Sequence, residues 1–242
     1  HVAVDQEAEL APIIRRVAAR GGVIVIPAFA VGRAQALMLH IARLRDREEI
    51  PRVPVYLNSP MAVNATRLYH AHHSEHHVSQ EDCQRMFDVA TFVNTVEASK
   101  ALNRQRGPMI IISASGMITG GRVLHHIEAF GSDDRNAILL AGYQAGGTRG
   151  AALAAAERTL RMFGREVPIR AEVVQLEGFS GHADAGELLD WMRTAPSAPR
   201  IVYLTHGEPD AADTLRGRVQ RELGWHARVP EHLERVALEE AQ

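Results

Sequence analysis

Two histidines occur where a parallel α/β sheet places its ligands. His182 lies in E-G-F-S-G-H-A-D (177–184) and His206 in L-T-H-G-E (204–208). Each segment follows a run of apolar β-forming residues and precedes a helical pattern, so each imidazole is expected at a strand end. Imidazole is a common metal ligand and a general acid near pH 7. The matched positions favour one shared site, although each histidine alone also fits an ordinary loop residue.

Composition limits the class of protein. With 242 residues and 46% hydrophobic content, the chain can bury a large core in one domain or two. A net charge of -2 gives no overall attraction to nucleic acid, so phosphate binding must be local. The single cysteine, Cys83, excludes an internal disulfide and favours a reducing, cytoplasmic compartment. No apolar run approaches the ~20 residues of a membrane span, and membrane is not an expected partner.

The order of patterns predicts an α/β fold with a mainly parallel sheet flanked by helices. Four apolar segments each run into a turn and a helix, at residues 22–27, 53–58, 108–113 and 136–142. From residue 157 to 168 the period becomes alternating, which predicts a hairpin near Gly164 and an architectural boundary. Two further strand-turn-helix units carry His182 and His206, and a terminal strand is predicted near residues 235–238.

The turn after residue 113 has the composition of an anion cradle. It reads A-S-G-M-I-T-G-G-R (114–122), with two hydroxyls and three glycines before a helix. Free N–H groups and the helix dipole attract phosphate at such a position. The alternative is that these glycines serve backbone geometry alone.

The densest histidine cluster lies in residues 70–77. Its i,i+4 pairs could hold an adventitious ion, but no carboxylate stands where an H-x-H-x-D-H motif has Asp. We interpret this segment as a solvated helix end.

Taken together, six motifs resemble the beta-CASP branch of the metallo-beta-lactamase superfamily. In order along essentially the whole chain they are P-A-F-A-V-G-R-A-Q (27–35), N-S-P-M-A (58–62), S-A-S-G-M-I-T-G-G-R (113–122), G-Y-Q-A-G-G-T (142–148), G-F-S-G-H-A-D (178–184) and T-H-G-E (205–208). The resemblance is greatest to RNA-processing nucleases akin to the pre-mRNA 3′-end cleavage nuclease, and smaller to ribonuclease J.

The resemblance implies two parts and a metal-dependent reaction. Residues 1–167 are expected to form the beta-CASP domain, and residues 168–242 the C-terminal segment of a metallo-beta-lactamase αββα domain. His206 corresponds to a zinc ligand and His182 to the general acid of a ribonuclease that binds two Zn²⁺ ions. The chain starts H-V-A-V-D-Q-E, without Met or a signal-peptide pattern, and lacks the family's H-x-H-x-D-H motif. We therefore expect a catalytically incomplete fragment of a longer protein, without stoichiometric zinc.

Several residues receive expected supporting roles. Asp184 and Glu208 are candidates to orient the histidines, with helix capping as the equal alternative. Ser115, Gly116, Ser180 and Arg33 are candidates to bind phosphates of RNA, the expected partner.

Two alternatives to this assignment remain open, and a third is disfavoured. Arg33 could instead pair with a neighbouring acid. The competing function is a non-catalytic RNA- or protein-binding beta-CASP module, and a small-molecule hydrolase is disfavoured because such enzymes lack the insertion. Homodimer formation is left open.

Two geometric predictions follow from this assignment. The strands that end at Ser113 and Gly142 should share one sheet, whereas those that precede His182 and His206 should lie in another. The two imidazoles should lie within ~10 Å of each other, as neighbours around a metal pair must.

Overall fold

The computed structural model describes residues 5–237, which contain ten strands and nine α-helices. The strands are β1 (Val23–Pro27), β2 (Val55–Leu57), β3 (Thr91–Phe92), β4 (Met109–Ser113), β5 (Ala137–Ala141), β6 (Thr159–Met162), β7 (Arg165–Pro168), β8 (Glu172–Leu176), β9 (Val202–Tyr203) and β10 (Ala227–Arg228). The helices are α1 (Gln6–Ala19), α2 (Arg33–Asp46), α3 (Pro60–Ala71), α4 (Gln80–Asp88), α5 (Val96–Leu102), α6 (Arg122–Phe130), α7 (Arg149–Ala154), α8 (Ala185–Arg193) and α9 (Pro209–Arg218).

A six-stranded parallel sheet organises residues 5–181. Its order is β3-β2-β4-β1-β5-β8, so β2, β4, β1 and β5 are central. Every residue of β1, β4 and β5 is buried. Alternate side chains enter separate cores, because Ile24 and Ile26 pack with α1 and α2, whereas Val23 and Val25 pack with α6. The predicted α/β fold, a mainly parallel sheet flanked by helices, is confirmed.

Residues 182–237 form a second compact unit. In this unit β9 pairs in parallel with β10. Helix α9 continues as a turn of π-helix, Val219–Leu223. Buried Leu189, Val219 and Ala227 form its small core.

The strand before His182 lies in the large sheet, contrary to the prediction. All five residues of β8 pair in parallel with β5, from Ala137 opposite Glu172 to Ala141 opposite Leu176. Glu172 is also held by ion pairs with Arg16 of α1 and with Arg20, the residue that follows this helix. These contacts explain why β8 shares a sheet with β4 and β5. Only β9, the strand before His206, lies in a separate sheet as expected.

The other predictions about elements and boundaries also match the structure only in part. The hairpin near Gly164 is confirmed, since β6 and β7 pair antiparallel on either side of it. The predicted terminal strand is wrong for residues 235–237, which have no regular structure, and its last residue lies outside the described range. The compact units divide between residues 181 and 182. The assignment of residues 168–242 to a lactamase part stays a prediction.

Candidate functional site

The carboxyl ends of the neighbouring strands β2 and β4 border a cleft of about 320 Å³. Both strands lead into helices there, β2 into α3 and β4 into α6. Ser59 caps α3 by accepting a hydrogen bond from the Ala62 N–H at 3.3 Å. Two helix N termini therefore border one cleft, and their dipoles favour a bound anion. The cleft is lined by Asn58, Ser59, Pro60, Ala114, Ser115, Thr119, Gly120, Gly121 and Arg122.

Arg122 is a fixed cation at this cleft. One guanidinium nitrogen, Nη1, donates to Asn58 Oδ1 at 2.8 Å and to the Val93 carbonyl at 3.0 Å, and Nη2 donates to the Asn94 carbonyl at 2.7 Å. All three acceptors are neutral, and no acid within residues 5–237 forms an ion pair with Arg122. Because a guanidinium has five N–H donors, Nε and one N–H of Nη2 remain for a ligand.

Arginine is an unusual first residue for a helix, because the helix dipole opposes a cation there. Helix α6 nevertheless begins with Arg122, α2 with Arg33 and α7 with Arg149. These helices and α3 follow the four central strands, and none of the four has an acid in its first turn. In contrast, α1, α4, α5, α8 and α9 all do. The carboxyl edge of the central sheet thus concentrates positive charge.

Arg33 lies at the carboxyl end of β1, where α2 begins. Its guanidinium packs against Gly142, where an added Cβ would lie 2.2 Å from Arg33 Nη1. The guanidinium carbon lies 5.9 Å from the centre of the Phe29 ring. Burial lowers the pKa of Arg33, and no acid of the described chain forms an ion pair with it. The alternative of an acidic partner for Arg33 is therefore not realised in residues 5–237.

Ser115 and Gly116 shape the loop between β4 and α6. Ser115 Oγ accepts a hydrogen bond from the Thr119 N–H at 3.0 Å and lies 3.0 Å from Thr119 Oγ1. A Cβ on Gly116 would lie 3.0 Å from the Phe29 ring. Gly121 has φ +82°, and a Cβ there would lie 2.6 Å from the Ala114 carbonyl oxygen. These contacts support the backbone role of the glycines, while the Ser115 hydroxyl stays at the cleft.

His182 and His206 both lie in residues 182–237 and are exposed. His206 has φ +65°, a left-handed conformation that is uncommon outside glycine. Ser180, in the first unit, is also exposed. The proximity of the two imidazoles stays a prediction.

The two acids predicted to orient the histidines differ in their contacts. Asp184 Oδ1 accepts a hydrogen bond from the Glu187 N–H at 2.8 Å, and Glu187 Oε2 accepts one from the Asp184 N–H at 2.8 Å. This is a reciprocal capping box at the start of α8, so the capping alternative is realised for Asp184. Glu208 stands before α9 without a side-chain capping bond.

The described residues do not form a zinc site. Within residues 5–237, no group of three or more His, Cys, Asp or Glu side chains could hold a metal ion. A zinc site needs three or four protein ligands, so His206 fits as one ligand at most. In the histidine-rich segment, His70 lies 2.8 Å from Gln84 Oε1 and His72 lies 2.9 Å from Glu75 Oε1.

Three residues near this cleft were not among the candidates from sequence, namely Asn58, Arg122 and His126. Of these, His126 is a buried titratable group. Its side chain is 0% exposed. Burial, with the nearby positive charges of His125 and Arg122, lowers the pKa of His126 to about 4. The helical spacing of Val123, Ile127 and Phe130 could have placed His126 on the apolar face of α6.

We expect the buried His126 to make stability depend on pH. Because its pKa is about 4 when folded and about 6.5 when unfolded, the unfolded chain takes up the proton first. The contribution is fully present above pH 6.5 and is lost as pH falls towards 4, by about 3 kcal/mol in total. Urea unfolding of wild type and His126→Gln across this range measures it. Parallel pH profiles would contradict a neutral buried imidazole.

Comparisons with known proteins match both parts of the chain. A Beta-Casp domain model matches residues 34–153, and a model described as Zn-dependent metallo-hydrolase RNA specificity domain matches residues 166–230. Ribonuclease TTHA0252 of Thermus thermophilus is 42% identical over 209 residues, 84% of this chain and 47% of that protein.

Two further relatives come from archaea. Transcription termination factor FttA of Methanosarcina mazei is 31% identical over 245 residues, 97% of this chain and 38% of that protein. An RNase J-like protein of Methanocaldococcus jannaschii is 31% identical over 204 residues, 84% of this chain and 47% of that protein. The chain spans less than half the length of each of these relatives.

Proposed function

Because the chain belongs to the beta-CASP branch of the metallo-beta-lactamase superfamily, we propose that it is part of a zinc-dependent ribonuclease that hydrolyses RNA phosphodiester bonds. The first unit, residues 5–181, binds the RNA backbone. The second unit, residues 182–237, contributes His182 and His206 to the reaction. RNA is the substrate class because TTHA0252 is named a ribonuclease and the second family model is described by RNA specificity.

The observation that carries this proposal is the charge at the carboxyl edge of the central sheet. Arg33, Arg122 and Arg149 each begin a helix against its dipole, without an acid in the first turn. A row of bound phosphates offsets the repulsion between these arginines and the helix dipoles, because both helix N termini and guanidinium groups stabilise anions. The net charge of the whole chain is only -2, so the attraction of RNA depends on this local positive charge.

The proposed phosphate contacts extend the earlier candidates. Arg122 binds a phosphate in the cleft through its remaining N–H donors, with the Ser115 hydroxyl and the backbone at Gly116 beside it. Arg33 provides charge at the next loop. Ser180 is exposed at the end of the first unit and binds a phosphate as well.

His182 is the proposed general acid. In its protonated form its imidazole gives a proton to the leaving ribose oxygen. Asp184, which caps α8 through Oδ1, is the proposed residue that orients this ring. His206 is proposed as one zinc ligand. Residues 5–237 supply no complete zinc site, so this chain is proposed to bind RNA without cleaving it, the other ligands lying outside these residues.

One further prediction belongs to the proposal. A cytoplasmic location is favoured by the single cysteine, Cys83. Homodimer formation stays open. None of the helices within residues 5–237 has the length and apolar character needed to cross a membrane.

Binding of a fluorescein-labelled single-stranded RNA by the 242-residue chain tests the RNA-binding role. Three arginine-phosphate contacts predict a slope of about -2 for log affinity against log salt concentration, because each contact on a single strand contributes ~0.7. Fluorescence anisotropy in increasing salt measures the slope. Absence of binding, or affinity that ignores salt, would contradict the proposal.

A further inference from the structure

A buried chain of polar side chains leads from the interior of the first unit to Arg122. Asn58 and His126 are both 0% exposed. His126 Nε2 lies 2.6 Å from Asn58 Nδ2, and His126 Nδ1 lies 2.6 Å from Asn103 Oδ1. The Asn58 Nδ2 group also donates to Ser99 Oγ at 2.8 Å. Buried polar groups of this kind are costly unless every donor meets an acceptor.

Donor and acceptor matching fixes the protonation state of the ring. Asn103 Oδ1 can only accept, so His126 Nδ1 carries the proton. The unprotonated Nε2 then accepts an N–H from Asn58, whose second N–H reaches Ser99. Both amide hydrogens of Asn58 are thereby used, and its Oδ1 is directed to Arg122 Nη1 at 2.8 Å.

The opposite tautomer reverses the result. A proton on His126 Nε2 would oppose an amide hydrogen of Asn58, and the amide would rotate to present its oxygen to the ring. Its NH₂ group would then oppose the guanidinium of Arg122, which carries only donors. The tautomer of His126 therefore determines whether Asn58 joins the carbonyls of Val93 and Asn94 in holding Arg122 at the cleft.

The amide also preserves the charge of Arg122. An aspartate at position 58 would hold the guanidinium through an ion pair and would neutralise it. Asparagine holds it through a neutral oxygen, and so do the carbonyls of Val93 and Asn94. The site therefore fixes the position of the cation while leaving its charge for an anion.

We propose that His126 is a positioning residue for phosphate binding: as the Nδ1-protonated tautomer it orients Asn58, which holds Arg122 at the cleft. This inference rests on the proposed function, because the anion it serves is a phosphate of RNA. His126 itself is buried and touches no substrate.

Two matched variants separate positioning from packing. The amide of Gln reaches the place of Nε2 and can still accept from Asn58, whereas the shorter amide of Asn reaches only the place of Nδ1. We expect His126→Asn to weaken binding of labelled single-stranded RNA about tenfold, the effect of losing one hydrogen bond to a charged group. His126→Gln should retain most of the affinity. Because the shorter Asn side chain also leaves the larger cavity, urea unfolding of both variants measures the packing loss separately from the RNA affinity.

The tautomer can be measured in the unaltered chain. Nitrogen-15 NMR should show Nδ1 of His126 protonated and Nε2 unprotonated at neutral pH. The Nε2-protonated form would overturn the inference without recourse to any variant. Equal RNA affinities of wild type and His126→Asn, with affinity lost in Arg122→Gln, would overturn positioning alone. Wild-type affinity for RNA in Arg122→Gln would overturn the proposed phosphate site and, with it, the role of His126.

Discussion

Replacement of His182 by alanine should slow RNA cleavage by about 10²–10⁴-fold in the proposed longer, zinc-containing protein, the scale on which a general acid acts. The protonated imidazole is proposed to serve the leaving oxygen, so the loss should fall on kcat rather than KM. Single-turnover cleavage of a labelled RNA, together with its binding constant, measures both quantities. His182 is exposed, so the variant should fold normally.

Two further variants make this result specific. His206→Ala should weaken zinc binding, because His206 is proposed as a ligand, whereas His182→Ala should retain the metal. Exposed His77 provides the control, since His77→Ala should leave both properties unchanged. A rise in KM with unchanged kcat in His182→Ala would assign that residue to RNA binding instead.

Arg122→Gln should weaken RNA binding by the 242-residue chain by about 100-fold. The variant removes the charge and the free donors at the cleft, and hydrogen bonds to charged groups contribute roughly 1.5–3 kcal/mol each. Asn58→Asp should also lower affinity, although it leaves Arg122 in place, because a carboxylate next to the guanidinium neutralises it. Fluorescence anisotropy measures both variants.

Arg104 offers a matched control for this experiment. It is exposed and precedes β4, whereas the cleft lies at the carboxyl end of that strand. Arg104→Gln therefore removes one positive charge without touching the cleft. Its RNA affinity should remain close to that of wild type. An equal loss in Arg104→Gln and Arg122→Gln would indicate general electrostatic attraction and would contradict a specific phosphate site.

The sequence pattern was sufficient for the central sheet but not for its last strand. Buried apolar runs such as residues 108–113 predict parallel strands, because both faces of such a sheet are covered. The run before His182 has half-buried positions, and its motif resembles the lactamase part. The pairing of β8 with β5 depends on contacts between distant segments, which the local sequence pattern does not reveal.

The site was predictable where one loop contains it and not where several segments meet. Ser115 and Gly116 stand out because hydroxyls and glycines cluster in one turn. Arg122 closes the same motif, but its importance depends on Asn58 and on carbonyls from residues 93 and 94. Those acceptors come together only when β2 and β4 pair. His126 could have been recognised from helical spacing, whereas its tautomer required its partners.

Incubation of the purified 242-residue chain with labelled RNA, with and without added Zn²⁺, tests the central claim most directly. The account predicts RNA bound but intact under both conditions, and metal analysis without stoichiometric zinc, because residues 5–237 form no group of three ligands. Cleavage that disappears in His182→Ala, or one equivalent of zinc that is lost in His206→Ala, would show that the chain is a complete enzyme and would contradict the account.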